Sequence, residues 1–300
     1  MGSSINSSRI KQSTRMRVRT VSISVALVLM VVLFSLYGWR HFDHSRDLDE
    51  MNRLTATQPV APTVFSTTMV QDLPEPARRY FTYTIAEGTP LYTVADISME
   101  GLFSLGTKQK PNYLNMTARQ VLAAPEGFVW KTRAGKGLMQ LSGSDSASWT
   151  RFWMAGIAPV ARLGGDVDHT RSAFGRYVAE AVFWTPAALL LRPGVSWEAV
   201  DENTARVTVR HMDLEQAVDV LLTSNGQPTQ ASFARWSDAN PDKVHRLQPF
   251  GGYLSQYREF QGFRLPTHVE AGNLFGTDDY FPFFIVDVSS VSFPLPESQP

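Results

Sequence analysis

The sequence predicts a mainly β protein with few helices: an antiparallel curled sheet or half-barrel of about ten to eleven strands with a helix across it, behind one N-terminal transmembrane helix. Three observations carry this expectation. A run of 19 residues near the start has no charge. The remainder is dominated by short alternating or apolar runs separated by turn residues. Within that series a single long stretch keeps a helical period.

Composition sets the outer limits. The 300 residues include no cysteine, 28 basic and 28 acidic side chains, and 43% hydrophobic residues. Such a chain is too apolar to be disordered. The absence of cysteine excludes disulfides, thiol nucleophiles and cysteine-based zinc or iron–sulfur sites. Residues 1–68 hold eight Lys/Arg and four Asp/Glu, so the rest carries 20 basic and 24 acidic groups and a net charge near −4. A mildly acidic body is a poor match for nucleic acid, whose binding rests on clustered cations.

Val21 to Trp39 form the uncharged run, which at about 1.5 Å per residue spans roughly 28 Å, the thickness of a hydrocarbon core. Arg9, Lys11, Arg15, Arg17 and Arg19 precede it without an acidic residue, whereas Asp43, Asp47, Asp49 and Glu50 follow it. The positive-inside bias then puts the N-terminus in the cytoplasm and the body outside. A cleaved signal peptide is the rival, but SLYGWRHFD has no small-x-small cleavage site. The expected organisation is a cytoplasmic basic tail (1–20), a signal anchor (21–39), a tether (40–70) and an extracytoplasmic β-rich domain (71–300). The tether rests on polar residues followed by Pro59 and Pro62. A helix packed on the domain is the alternative over Asp47 to Ala56.

Leu73-Pro-Glu-Pro-Ala opens a helix to about Ile85, ended by Gly88. Strands follow near Val94–Leu105, Tyr113–Ala123, Gly127–Arg133 and Leu138–Gly143, with Ala147–Ala155 a further candidate. The second half places strands at Val195–Val200, Ala205–Met212, Gln216–Thr223, Gln230–Ser237, Tyr253–Glu259, Phe263–Glu270 and Phe283–Phe293. Ser224-Asn225-Gly226 and Gln261-Gly262 supply tight turns. Without strand–helix alternation, these runs form a meander. The interrupting helix runs from about Thr170 to Leu191, with Phe174, Tyr177, Val178, Ala181 and Val182 as its packing stripe and Pro186 as a kink.

Chemistry-bearing motifs are scarce. On a helix His41 and His44, beside the membrane run, could face one way and bind a metal ion with Asp43 nearby, and Asp166, Asp168 and His169 are oxygen-rich but lack the spacing of a calcium loop; interfacial polarity and a solvated turn leading into the helix are the simpler readings. No Gly-x-Ser-x-Gly elbow or phosphate loop is present. No catalytic residue, metal or cofactor is expected. Glu180, placed among Phe174, Tyr177, Phe183 and Trp184, needs a partner, and Arg176 one turn earlier supplies it. The pair either pins the helix to the sheet or anchors a ligand head group at a cavity mouth. Trp130, Trp153, Phe183 and Trp184 either fill the core or line that cavity.

Gly175-Arg176-x-x-x-Glu180-x-x-x-Trp184-x-Pro186, Val195-Ser-Trp197, Thr204-Ala-Arg206-Val, Phe233-Ala-Arg235 and Tyr257-Arg258-x-Phe-x-Gly262-x-x-x-Pro266 together resemble an uncharacterised, membrane-anchored bacterial family carried as a domain of unknown function. The strand order also resembles the half-barrel of outer-membrane lipoprotein carriers, in which a curled sheet and lid helices shelter acyl chains. That resemblance implies a membrane-tethered, non-catalytic binding domain for a lipid or other hydrophobic ligand. The binding residues expected are Arg176, Glu180, Phe183, Trp184, Trp130 and Trp153. An envelope scaffold with a filled interior is the second class, and an enzyme assembled from distant residues the third.

Overall fold

The computed structural model describes residues 3–295. Met1, Gly2 and 296–300, the extremes of the predicted tail and domain, lie outside the described residues, as do the side chains of 1–16 and 18, which include most of the predicted basic tail. The apolar run is part of helix α1, Ser3–Thr55. Its residues Val21 to Leu33 are exposed.

The stretch expected as a tether differs from that expectation. Helix α1 continues unbroken to Thr55, and Asp43, Asp47, Met51 and Leu54 are buried against the body. The packed-helix alternative describes residues 47–55. The polar spacing read as solvated chain is the face of a helix whose carboxylates meet cations of the sheet.

Helix α2 spans Glu75–Thr84 with Pro76 in its first turn. Six strands follow: β1 Ala95–Ser104, β2 Tyr113–Ala123, β3 Gly127–Ala134, β4 Leu141–Ser146, β5 Trp149–Met154 and β6 Ala158–Gly164. Helix α3, Val167–Trp184, comes next, capped by the Asp166 side chain, which accepts from the His169 backbone N–H at 2.8 Å. Pro186 ends the α-helical path, and a short 3₁₀ turn, Pro186–Leu189, replaces the last predicted turn. Seven more strands complete the chain: β7 Val195–Ala199, β8 Thr204–His211, β9 Leu214–Leu222, β10 Pro228–Ser237, β11 Arg246–Phe260, β12 Phe263–Asn273 and β13 Phe281–Ser292.

The strand count is thirteen, above the ten to eleven expected. Strand β6 lies outside the predicted series, because Ala158-Pro-Val-Ala-Arg-Leu-Gly is largely exposed and carries a proline at its second position. The first half of β11 was also missed, since Pro249, Gly251 and Gly252 interrupt its pattern.

All strands join one sheet in the order β6-β5-β4-β3-β2-β1-β13-β12-β11-β10-β9-β8-β7. Every pairing is antiparallel, and β1 and β13 meet in the middle at Leu102↔Ile285. Strands β6 and β7 form the two edges, and the segment between them contains α3. This helix packs on β9 and β10 and also on β2 and β3. In a flat sheet β3 and β9 would be seven spacings, or about 34 Å, apart. One helix about 10–12 Å wide reaches both only because the sheet curls round it. The concave side holds the main core, with Phe174, Tyr177, Val178, Ala181 and Val182 of α3 all buried.

One end of the curl is closed by α2. Its Tyr80 hydroxyl donates to the Val182 carbonyl of α3 at 2.7 Å. Arg79 donates to the carbonyls of Thr223 and Ser224 at 3.0 Å and of Glu202 at 2.5 Å, binding two turns of the second half.

Candidate functional site

Between α3 and the concave sheet lies a cavity of about 240 Å³, just under the roughly 300–1,000 Å³ of typical small-molecule sites. Its walls are mainly apolar and rich in aromatic rings, including Phe103, Phe152, Phe250 and Phe283, and its polar atoms concentrate at Asp145, Arg176, Glu180 and Arg235. Alternation along the strands determines which side chains enter: Trp130 of β3 and Phe152 of β5 face inward.

Arg176 organises the polar side. Its Nε donates to Glu180 Oε1 at 2.7 Å, its Nη1 to Asp145 Oδ2 at 2.5 Å and its Nη2 to Gln120 Oε1 at 3.4 Å. Gln120 Nε2 in turn donates to Glu180 Oε2 at 2.5 Å. Burial would lower the Arg176 pKa, but the Glu180 and Asp145 carboxylates outweigh it and raise the pKa. The guanidinium also lies over the Phe128 and Trp130 rings, at 4.5 and 5.3 Å. Asp145 further accepts from Thr150 Oγ1 at 2.5 Å, and that hydroxyl meets His169 Nε2 at 3.1 Å. The predicted pair is therefore one edge of a network joining α3 to β2, β4 and β5.

Arg235 of β10 also lines the cavity. Sequence reading placed it within a motif without assigning it to the site. It lies over Phe250 at 4.8 Å, and its Nε is buried without a hydrogen-bond partner among the described residues. Burial, reinforced by the charge of Arg176, holds its pKa down to about 10. The indole N–H groups of Trp130 and Trp184 are likewise buried and unpartnered. Three residues lining one cavity thus carry a buried N–H without an acceptor among the described residues. An inward position on a strand was the available sequence signal for Arg235, but unpaired donors are visible only in three dimensions.

Five expected binding residues, Arg176, Glu180, Phe183, Trp184 and Trp130, line this cavity. Trp153 does not. It is 2% exposed on the convex face, and its indole N–H donates to Asp43 of α1 at 2.9 Å. Adjacent strand residues point to opposite faces, so Phe152 takes the inward place that sequence reading gave to Trp153. His44 also meets the sheet, with Nδ1 2.9 Å from Lys131 Nζ.

Several solved structures are similar. A LolA superfamily protein from Nitrosomonas europaea is 11% identical, with a TM-score of 0.35, over 75% of this chain and 93% of that one. An outer membrane lipoprotein-sorting protein domain from Vibrio parahaemolyticus is 10% identical, with a TM-score of 0.34, over 76% and 91% of the respective chains. A DUF1329 family protein from Desulfovibrio piger is 10% identical, with a TM-score of 0.36, over 68% and 87%. No curated protein matches the chain. Residues 63–285, from the approach to α2 into β13, match one family along their length, and the chain belongs to that family of unknown function, DUF6544.

Proposed function

We propose that this protein is a membrane-tethered, extracytoplasmic binding domain that takes the apolar part of a lipid or similar amphiphile between α3 and the curled sheet. The observation that carries this reading is an aromatic-rich cavity lined by Trp130, Trp184 and Arg235, each of which carries a buried N–H without an acceptor among the described residues. A buried N–H without an acceptor costs about 1–3 kcal/mol. A guest with oxygen atoms at one end and hydrocarbon at the other satisfies the donors and the walls together. The exposed helix over Val21 to Trp39 supports the tether, and the basic residues before it support a cytoplasmic N-terminus. The domain outside the membrane then begins within α1, at Arg40.

Native mass spectrometry of the full chain, purified in mild detergent, tests the ligand. The expected result is an additional mass that organic extraction removes and that Arg235→Leu diminishes. A ligand-free chain that fails to take up a fluorescent fatty acid or phospholipid would reject the reading.

A further inference from the structure

We infer that the body stands directly on the outer surface of the bilayer, with Leu138, Met139 and Ile157 in the interfacial layer and the cavity mouth facing the lipid, so that the guest enters from the membrane. This inference rests on the tethered reading above, and adds a surface, an orientation and a route.

Helix α1 has no break between the apolar run and its contact with the body. Contact begins where the run ends. The Trp39 ring packs edge-on against Trp153 at 5.5 Å, with the Arg162 guanidinium 4.4 Å above it. Arg40 donates to the Gly156 carbonyl at 3.1 Å and to Ser142 Oγ at 3.3 Å. Asp43 then accepts from Arg162 at 2.6 Å, Trp153 at 2.9 Å and Arg151 at 3.1 Å. Asp47 accepts from Ser144 at 2.7 Å and pairs with Lys131 at 3.4 Å. Met51 and Leu54 close the contact on Val121 and Val129, and Arg53 reaches the Glu126 carbonyl at the β2–β3 turn. The helix is thus held along some 15 residues, roughly 22 Å. Its direction sets that of the sheet.

Arg40 is the first residue past the span, so the turns it touches lie at the membrane surface. Glycine is required at 156, where φ is +70° and a Cβ would displace the Arg40 guanidinium. Beside it is Ile157, and the Ala155 N–H donates to Gln140, which joins this turn to the one bearing Leu138 and Met139. These three side chains are 83% (Leu138), 66% (Met139) and 49% (Ile157) exposed. Exposed apolar tips beside a hydrophobic span match the layer where lipid head groups meet hydrocarbon.

The pairing register puts the mouth at the same end. Ala134 pairs with Leu141 and with Met116, and Met116 pairs with Gly101. Phe103 lies two residues farther along β1, on the side of the β3–β4 turn, opposite Phe284. Phe103, Phe283 and Phe284 are half-buried, whereas Trp130 and Trp184 deeper inside are buried. The other end is covered by α2.

The native chain has no cysteine, so single-cysteine labels report cleanly. Full-length Leu138→Cys, Ile157→Cys and, at the far end, Ser224→Cys would carry an environment-sensitive dye in vesicles of phosphatidylethanolamine and phosphatidylglycerol containing chain-brominated lipid. The expected result is blue-shifted emission and severalfold stronger quenching at 138 and 157 than at 224. Equal, water-like emission at all three sites in a chain that resists carbonate extraction would overturn the orientation and leave the tether standing. Release of the chain by carbonate would overturn the tether, and the orientation with it.

Discussion

The two faces of β3–β5 receive two helices in opposite ways. On the convex face carboxylates of a helix meet cations of the sheet, with Asp43 and Asp47 of α1 among Arg151, Arg162 and Lys131. On the concave face a cation of α3, Arg176, meets Asp145 of the sheet and Glu180 of its own helix. The convex contact ends in the apolar patch of Met51, Leu54, Val121 and Val129, beside a groove of about 360 Å³ lined by Asp43, Asp47, Lys131 and Arg151. Although Arg151 Nε and Arg162 Nε lack partners, the terminal nitrogens of both guanidinium groups hold Asp43. The concave contact leaves a cavity, and Arg235 makes no ion pair within it among the described residues. One face behaves as a joint and the other as a receptacle. Charge pairs alone do not distinguish the two roles, and neither does open space; what distinguishes them is the lining, charged and paired beside α1 and largely aromatic beside α3.

The largest test of this contrast is Asp43→Ala, which among the described residues leaves Arg162 without a carboxylate and Arg151 with only Asp47, at 4.0 Å. A loss of about 3 kcal/mol is expected, read as a lower melting temperature of the full chain in detergent together with faster hydrogen exchange over 40–54. Unchanged melting and exchange would show that the joint is not one.

On the concave face, Glu180→Ala removes one of two carboxylates from Arg176 while Asp145 and Gln120 stay. About 2 kcal/mol is expected, together with loss of co-purifying lipid. Loss of stability with full ligand retention would make the pair a structural pin alone.

Arg235→Leu should act in the opposite direction. Removing a buried charge without an ion-pair partner is expected to raise stability by about 1 kcal/mol while ligand retention falls. A drop in stability with normal retention would remove Arg235 from the receptacle.

The smallest expected effect is a pH dependence confined to the joint. Burial and the charge of Lys131 hold the His44 pKa below its usual value of 6.5. Burial opposes ionisation of Asp43, but hydrogen bonds from Arg162, Trp153 and Arg151 win and lower its pKa below 3.8. Both groups bind protons less readily folded than unfolded. Their stabilisation is therefore present above the unfolded values and lost as pH falls through the folded ones, first for His44 and then for Asp43. Hydrogen exchange should show α1 loosening below about pH 6 and again below about pH 4 before α3 does. Simultaneous loosening of both helices would erase the distinction.

Strands such as Thr204–His211 were legible because half-buried strands alternate, and the stripe on α3 because helix burial repeats near every fourth residue. Strand β6 and the start of β11 were not, because proline, glycine and exposure mask the period. The course of α1 beyond the apolar run was hidden for a different reason. Asp43 and Asp47 look solvated in one dimension, and the cations that bury them lie about a hundred residues later, in Arg151, Arg162 and Lys131.

The sequence alone determined the apolar span, the antiparallel meander, the crossing helix and the Arg176–Glu180 pair, since each depends on residues near one another in the chain. Tertiary structure decided which aromatic of the Phe152-Trp153 doublet faces the cavity, where Arg235 is left unpaired, and that the span continues as a strut along the body. Those outcomes depend on the curl of the sheet, which brings distant residues together and leaves a space that no local pattern records.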